Sequence, residues 1–480
     1  MSRGRRTTYG ELREQVARLR GGLLDLGLDE GDRVGVVCGN NWYFAVSYLA
    51  VLGAGLVAVP LNPASPPREL ERELAVIGAR AAIVGPSGRK GMSRLDRSQC
   101  PALEHLIVSE GDWLEGALKL DDLLAARPRP LVERQPDDLA VLMFTSGTAG
   151  RPKAAMLSHS NLSSNIAQMT VDDVDASPAD VNFGVLPLFH IFGLNVVLGG
   201  TLTNGASVVL IERFDPVSAV ETIENHKVTG VAGPPNMWAA LAALPDVSPA
   251  AFRTVRRASS GAAKLTPEVA EQVRERLGVT LREGYGLTEA SPVVTSTIGL
   301  EPRLGSIGVP VADLELRVVD ADGEDVLIGD AGEIWVKGPN VFRGYWNDPE
   351  ATSAALTEDG WLRTGDIAVV DDDGFLYLVD RAKDLIIVSG FNVYPAEVED
   401  VLLEHPAVDQ CAVIGVAHPY TGEAVKAYVV LAGGARSIEE DELIDFCADR
   451  LARYKCPDKV MFVDQLPRNV TGKIMRRALS

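Results

Sequence analysis

The first half of the chain alternates between two hydrophobic patterns. Over residues 8–28 apolar side chains recur every three or four positions, which predicts a helix with one buried face, whereas residues 32–37 form a short apolar run typical of a buried strand. The same alternation continues over 42–84, with strands predicted at 57–60 and 81–84, and returns over 181–236, with a helix predicted at 192–202 and a strand at 228–231. Because continuous apolar strands separated by helices are typical of a parallel sheet covered on both faces, the pattern predicts two βα-wound sheets.

After Gly305 the pattern changes to short alternating strands punctuated by Asp-Gly turns at 322–323 and 373–374, which predicts a small antiparallel β subdomain over about 305–380. From 385 onward strands and helices again alternate, over a length that suits one compact α+β domain. We therefore expect an α/β protein with a large N-terminal domain (1–380), a hinge (381–384) and a small mobile C-terminal domain (385–480).

Composition excludes several classes of protein. A chain of 480 residues exceeds what one hydrophobic core usually serves, and its formal charge of -20 disfavours nucleic acid and anionic membrane surfaces as partners. Five scattered cysteines without C-x-x-C spacing indicate neither a disulfide framework nor a zinc site, and reduced thiols suit the cytoplasm. Glycine and proline interrupt the two long uncharged stretches, 44–61 and 181–211, and the N-terminus lacks a signal-peptide pattern. We therefore expect no transmembrane segment.

The stretch 142–153, LMFTSGTAGRPK, is an apolar strand-like run that ends in a small, hydroxyl-rich loop carrying two cations. Such a loop can turn several N–H groups and hydroxyls toward one point and so hold phosphate oxygens. It is not a Walker A loop, because Arg151 and Pro152 follow Gly150. The alternative is an ordinary surface loop. The candidate phosphate ligands are Thr145, Ser146, Gly147, Thr148, Ala149, Gly150 and Lys153.

The stretch 283–289, EGYGLTE, places an aromatic ring between glycines and a hydroxyl beside a carboxylate. Tyr285 could stack on a purine, Thr288 could reach a phosphate oxygen, and Glu289 could hold Mg²⁺, which prefers oxygen ligands. The alternative is a plain turn with a core tyrosine.

Two later motifs also carry candidate chemistry. In WLRTGD, Asp366 offers two acceptors to a ribose diol, although an aspartate after glycine is more often part of a turn. In PRNVTGKIMRR, Lys473 follows a Thr-Gly turn and could neutralise charge that develops on an α-phosphate, although an exposed terminal lysine is usually only solvated.

Together these motifs, in this order, resemble the adenylate-forming superfamily, which includes acyl-CoA synthetases, 4-coumarate-CoA ligases, firefly luciferase and the adenylation domains of peptide synthetases. The resemblance runs from about Thr8 to the end and is strongest to fatty-acid-CoA ligases and the 4-coumarate-CoA ligase-like branch. It implies two half-reactions: a carboxylate attacks the α-phosphate of ATP to give an acyl-adenylate and pyrophosphate, and the thiol of CoA then displaces AMP. The resemblance also implies Mg²⁺ as the cofactor.

The resemblance assigns roles by position. It implies Lys473, Thr145, Glu289 and His190 as catalytic residues, with Thr145 and Glu289 also at the metal. Further ATP contacts are implied for Gly261, Ala262, Glu283, Gly284, Tyr285, Gly286, Thr288, Asp366 and Arg381, beside the loop residues named above. Ser389, Gly390 and Arg213 are implied to contact CoA, and Lys383 to be the pivot of the small domain. Ala154 stands where glycine is common, which requires a negative φ at this position.

The acyl pocket implied by the resemblance consists of His190, Phe192, Gly193, Leu194, Ala262 and Gly286. This set contains no arginine to pair with a second carboxylate, which disfavours malonate-like diacids. Medium- or long-chain fatty acids are the first expectation and an aromatic acid such as a coumarate is the second. Transfer of the acyl group to a carrier protein, a catalytically silent acyl or nucleotide binder, and a homodimer stay open as alternatives.

Overall fold

This computed structural model describes residues 1–480 except 3, 146–152, 173–175, 382–383, 385, 389–390, 420, 434–437, 452, 470–471 and 480. Its helices are α1 Tyr9–Asp25, α2 Trp42–Gly53, α3 Pro67–Val76, α4 Arg89–Met92, α5 Leu120–Leu124, α6 His159–Asp172, α7 Gly200–Thr203, α8 Pro216–Asn225, α9 Pro235–Ala242, α10 Pro267–Leu277, α11 Pro349–Ala355, α12 Pro395–Leu403 and α13 Glu440–Ala448.

The strands of the described residues form four sheets. They are β1 Arg33–Val37, β2 Val57–Pro60, β3 Ala81–Val84, β4 His105–Val108, β5 Leu118–Lys119, β6 Leu139–Thr145, β7 Lys153–Ser158, β8 Val181–Gly184, β9 Ser207–Leu210, β10 Gly230–Gly233, β11 Arg257–Ser260, β12 Arg282–Gly286, β13 Val293–Ser296, β14 Val309–Pro310, β15 Glu315–Val319, β16 Ala331–Lys337, β17 Leu362–Val370, β18 Leu376–Arg381, β19 Ile386–Val388, β20 Phe391–Val393, β21 Val408–His418, β22 Gly422–Leu431 and β23 Lys459–Phe462.

Two seven-stranded sheets carry most of the chain. The first has the order β5-β4-β3-β1-β2-β6-β7 and is parallel except for the β6–β7 hairpin. The second has the order β14-β13-β12-β11-β10-β8-β9, with parallel pairing from β9 to β12 and antiparallel pairing of β12 with β13. In the first sheet, β2 and β3 are fully buried, continuous apolar runs, as the sequence predicts for a sheet covered on both faces.

The later strands form a four-stranded sheet, β15-β16-β17-β18, in which β17 and β18 are antiparallel, and a last sheet of β19 to β23 whose main hairpin is β21–β22. The predicted α/β class, with a large N-terminal part, a small antiparallel sheet and an α+β C-terminal part, is confirmed. Among the described helices, none combines the length and the apolar character that a membrane span requires.

The chain folds into two compact units. The first comprises Met1–Pro302, Pro310–Glu315 and Lys337–Leu362, and the second comprises Arg303–Val309, Leu316–Val336 and Arg363–Ser480. The domain limits drawn from the sequence stay a prediction.

A buried carboxyl group lies in α3 outside every predicted site. Glu73 is 7% exposed, and its Oε2 atom has no hydrogen-bond partner. Burial raises its pKa from 4.5 to about 8; the nearby Glu69 adds to this shift and Arg72 opposes it. Because the folded-state pKa lies above the unfolded-state value, this group favours folding fully below pH 4.5, and that contribution is lost as the pH rises through 8.

We therefore expect Glu73→Gln to stabilise the protein increasingly from pH 5 to pH 9, because the amide never has to be ionised inside the protein. The gain at pH 9 should be on the order of 5 kcal/mol in the free energy of unfolding. Thermal unfolding midpoints of both proteins across this pH range check it. Glu69→Gln, at an exposed position of the same helix, should show a much smaller trend, because it only removes a charge near Glu73; equal trends for the two variants would contradict the assignment.

Candidate functional site

The predicted phosphate loop lies between two paired strand ends. Thr145 ends β6 and lies opposite Lys153, the first residue of β7, in the antiparallel register of the hairpin. The Thr145 Oγ1 donates to the Lys153 carbonyl oxygen at 3.5 Å. The hairpin therefore brings the first and last candidate ligands together, whereas Ser146, Gly147, Thr148, Ala149 and Gly150 lie outside the described residues.

Ala154, the residue that departs from the common glycine, lies in β7 opposite Phe144 and is 1% exposed. It is not among the described residues with positive φ. The condition under which alanine is tolerated here is thus met, because a strand residue keeps its φ negative.

Neighbouring strand ends bring two of the predicted nucleotide-binding segments together. The register of β11 on β12 places Ser260 beside Glu283, so Gly261 and Ala262 leave their strand next to the segment 283–286. On its other side, β12 pairs with β13, with Tyr285 opposite Thr295. The described residues of the predicted adenine segment therefore lie together at the carboxyl ends of the adjacent strands β11 and β12.

The backbone is constrained at two positions near the carboxyl ends of β11 and β12. Ala262 has a φ of 67°, in the left-handed region that residues with a side chain seldom occupy and that costs on the order of 1 kcal/mol. At Gly286 a Cβ atom would lie 2.2 Å from the carbonyl oxygen of Pro292, so only glycine fits between the strands. The main chain is therefore constrained at two predicted contacts with nucleotide and acyl group, at Ala262 by its positive φ and at Gly286 by the neighbouring Pro292 carbonyl.

The predicted metal ligand Glu289 lies in a one-turn 3-10 helix, Thr288–Ala290, that the segment 340–345 holds in place. The Phe342 N–H donates to the Glu289 carbonyl oxygen at 2.8 Å. The Tyr345 hydroxyl donates to Glu289 Oε1 at 2.6 Å, and the Lys153 Nζ lies 5.2 Å from the centroid of the same tyrosine ring. Burial, followed by the charge of Glu289, raises the pKa of Tyr345 above its usual range.

Tyr345 thus contacts Lys153 at one end of the predicted phosphate loop and Glu289 at the predicted metal ligand. Sequence reasoning missed this residue, since it lies more than fifty positions from either motif and stands in the sequence RGYWNDPE without a recognised motif. The contact with Glu289 depends on tertiary folding, so only a signal such as covariation between the two positions could have found it.

The residues that could hold Mg²⁺ are one carboxylate, Glu289, and one hydroxyl, Thr145. In the described part of the chain, no group of three or more histidine, cysteine, aspartate or glutamate side chains could form a metal site. That sparse donor set fits Mg²⁺, which keeps several waters and is usually held by one or two protein oxygens together with substrate phosphates.

The predicted acyl segment is a π-helix, Phe192–Gly199, where the sequence predicts an ordinary helix. The His190 Nδ1 accepts from the Phe192 N–H at 3.3 Å. A Cβ on Gly193 would lie 2.2 Å from the Pro187 carbonyl oxygen, so glycine allows this tight start. A Cβ on Gly261 would lie 3.3 Å from the Phe192 ring, so a predicted pocket residue lies next to a predicted ATP contact.

Asn195 anchors the π-helix. Its Nδ2 donates to the carbonyl oxygens of Leu162, at 3.0 Å, and Ser291, at 2.7 Å, and the residue is 3% exposed. The following turn is closed by the Thr201 hydroxyl, which donates to the Val197 carbonyl oxygen. Leu194, also predicted to line the pocket, is 1% exposed. Arg213, a predicted CoA contact, is exposed beyond β9.

The second unit carries the remaining candidates. Asp366 lies in β17, is 5% exposed and pairs in register with Arg381 of β18. Lys473 follows Gly472, whose φ is 85°, and its N–H donates to the Asn469 Oδ1 at 2.9 Å. The tight turn therefore fixes the main-chain position from which the Lys473 side chain extends. The predicted pivot Lys383 and the predicted CoA contacts Ser389 and Gly390 lie outside the described residues.

Comparisons with known proteins cover nearly the whole chain. The model of the AMP-binding enzyme family matches residues 1–346, and that of the AMP-binding enzyme C-terminal domain matches residues 397–473. A feruloyl-CoA synthase of Amycolatopsis sp is 40% identical over 475 residues, which is 98% of this chain and 93% of the relative. A long-chain-fatty-acid–CoA ligase of Yersinia pestis is 37% identical over 487 residues, 95% of this chain and 86% of the relative. The crystal structure of ATP-bound MatB from Rhodopseudomonas palustris superposes with a TM-score of 0.90 at 35% identity, over 98% of this chain and 92% of that one.

Proposed function

Because the chain belongs to the AMP-binding enzyme family and is an ATP-dependent, AMP-forming acyl-CoA ligase, we propose that its acid substrate is a monocarboxylic acid with an apolar body. An aromatic propenoic acid of the feruloyl type is the first candidate and a long-chain fatty acid the second. This order departs from the expectation drawn from sequence alone, since the chain matches 93% of the length of the feruloyl-CoA synthase at 40% identity, against 86% of the fatty-acid ligase at 37% identity.

The observation that carries this proposal is the apolar composition of the predicted pocket. The Phe192 ring lies against Gly261, and Leu194 is buried nearby in the π-helix. A flat aromatic wall beside a glycine suits a planar ring or an extended chain, and the predicted pocket contains no arginine that could pair with a second carboxylate.

In the proposed reaction, a carboxylate oxygen attacks the α-phosphorus of ATP and the bond to pyrophosphate breaks. Lys473 is proposed to stabilise the charge that develops on the α-phosphate and carboxylate oxygens. Thr145, Lys153 and Thr288 are proposed to bind phosphate oxygens, Asp366 and Arg381 the ribose, and Tyr285 the adenine. His190 is proposed to lie beside the reacting carboxylate.

Bound Mg²⁺ would neutralise phosphate charge, and Glu289 with Thr145 would hold it. For the second step we propose that the small domain turns at Lys383, so that Ser389 and Gly390, with Arg213, contact CoA. The CoA sulfur then attacks the acyl carbonyl carbon and AMP leaves. The presence of ATP and CoA as substrates supports a cytoplasmic location, and a homodimer stays a prediction that light scattering can check.

A panel of acids tests the proposed substrate class. We expect ferulate, 4-coumarate and cinnamate, or palmitate and octanoate, to support pyrophosphate release with kcat/KM at least about a hundredfold above malonate and succinate, because an unpaired second carboxylate is costly to bury. The same acids with free CoA and with a phosphopantetheinylated carrier protein identify the thiol acceptor. Preference for a diacid would refute the proposed pocket, and preference for the carrier would refute CoA as the acceptor.

A further inference from the structure

A short segment of the first unit continues the first sheet beyond β7. The Arg343 N–H donates to the Met156 carbonyl oxygen, the Met156 N–H to Gly344, and the Trp346 N–H to Ala154, at 2.8–2.9 Å. These bonds place Tyr345 opposite Ala155, two residues beyond Lys153. The position of Tyr345 is thus set by backbone pairing with the strand that follows the predicted phosphate loop.

Further contacts hold Tyr345 through its main chain and through its ring. The Tyr345 N–H donates to the Thr352 Oγ1 at 2.9 Å, and that hydroxyl donates to the Asp348 carbonyl oxygen at 2.8 Å. Phe342 packs on the Tyr345 ring in an edge-to-face contact with ring centroids 4.9 Å apart. A tyrosine held in this way presents its hydroxyl group and its ring face to their partners from a defined position.

Tyr345 contacts two groups of opposite charge through different parts of one side chain. Its hydroxyl donates to Glu289 Oε1 at 2.6 Å, and its ring lies 5.2 Å from the Lys153 Nζ. A hydrogen bond to one carboxylate oxygen limits rotation of the whole group, which orients the other oxygen toward a metal at lower entropic cost. The ring face attracts the ammonium by a cation–π interaction.

We propose that Tyr345 is a positioning residue that orients Glu289 toward Mg²⁺ and Lys153 toward the phosphates of ATP. The inference rests on the nucleotide and metal roles proposed above for Glu289 and Lys153. It adds a residue outside every motif found in the sequence. A purely structural tyrosine would lower thermal stability on replacement but would leave the Mg²⁺ dependence of nucleotide binding unchanged.

The test measures ATP binding by calorimetry at graded Mg²⁺ concentrations, without acid or CoA, so that no turnover occurs. Tyr345→Phe removes one oxygen and keeps the ring. We expect the Mg²⁺ concentration for half-maximal ATP binding to rise about tenfold, as for other residues that orient a metal ligand. Tyr345→Leu also removes the ring face and should weaken ATP binding about threefold further at saturating Mg²⁺.

A matched control is available in the same unit. The Tyr43 hydroxyl also donates to a glutamate, Glu110 Oε1, at 3.3 Å, and Tyr43→Phe should leave the Mg²⁺ dependence unchanged. Thr352→Val loosens Tyr345 without touching Glu289 and should shift the half-maximal Mg²⁺ concentration in the same direction by less, which keeps the test available if Tyr345→Phe does not fold.

The outcomes distinguish failure of the proposed nucleotide site from failure of the positioning role of Tyr345. If the unaltered protein binds no ATP at any Mg²⁺ concentration, the proposed nucleotide site itself is wrong. If it binds ATP with a Mg²⁺ dependence that Tyr345→Phe leaves unchanged, with or without a lower thermal midpoint, Tyr345 has no positioning role and the inference is overturned.

Discussion

Lys473→Ala should reduce the rate of acyl-adenylate formation by roughly 10³-fold, the effect of removing a preorganised group that faces charge developing in a transition state. The main-chain turn should survive, because the Lys473 N–H donates to the Asn469 Oδ1 and the Asn469 N–H donates to the Lys473 carbonyl oxygen, and alanine keeps both bonds. Acid-dependent exchange of labelled pyrophosphate into ATP measures the loss.

Thioester formation from supplied acyl-adenylate should be largely spared in Lys473→Ala, since pyrophosphate has already left and the second step needs no group at the α-phosphate. Lys459→Ala, an exposed lysine of β23 in the same unit, should leave both steps unchanged. Equal loss of both steps in Lys473→Ala would refute its specific role in adenylation.

Glu289→Gln should reduce adenylate formation by about 10²-fold and raise the Mg²⁺ concentration required for ATP binding. The amide oxygen can still accept from the Tyr345 hydroxyl, which is 2.6 Å from Glu289 Oε1, so the substitution removes the negative charge and keeps the packing. Rates measured over a range of Mg²⁺ concentrations, with direct ATP binding at each, distinguish weaker metal binding from a misfolded site.

Glu110→Gln provides the comparison, because Glu110 also accepts from a tyrosine hydroxyl but belongs to none of the predicted motifs. We expect no change in its Mg²⁺ dependence. A Glu289→Gln protein that keeps the original Mg²⁺ dependence and rate would show that this carboxylate is not the metal ligand.

Local pattern was sufficient to predict the fold class. Apolar strands such as β2 and β3 were predicted with the residue limits that the structure has, because a buried parallel strand must be apolar throughout. Elsewhere the limits shifted: residues 228–231 were predicted as a strand, but β10 begins at Gly230, since the Val228 N–H bonds to Ile223 at the end of α8. The end of a helix and the start of the next strand compete for the same backbone N–H groups, and the sequence pattern does not show which element these groups join.

By itself the sequence determined the reaction class, because the motifs from Thr145 to Lys473, in their order, resemble the adenylate-forming superfamily, and the groups proposed to bind phosphates, ribose and a metal lie within these short segments. Only the tertiary structure decided how Glu289 is held. The partner of Glu289, Tyr345, lies 56 positions away in the chain, and the π-helix at Phe192–Gly199 is anchored by Asn195 bonding to Leu162 and Ser291. Periodicity reports which face of an element is buried, whereas contacts between distant segments depend on how the elements pack.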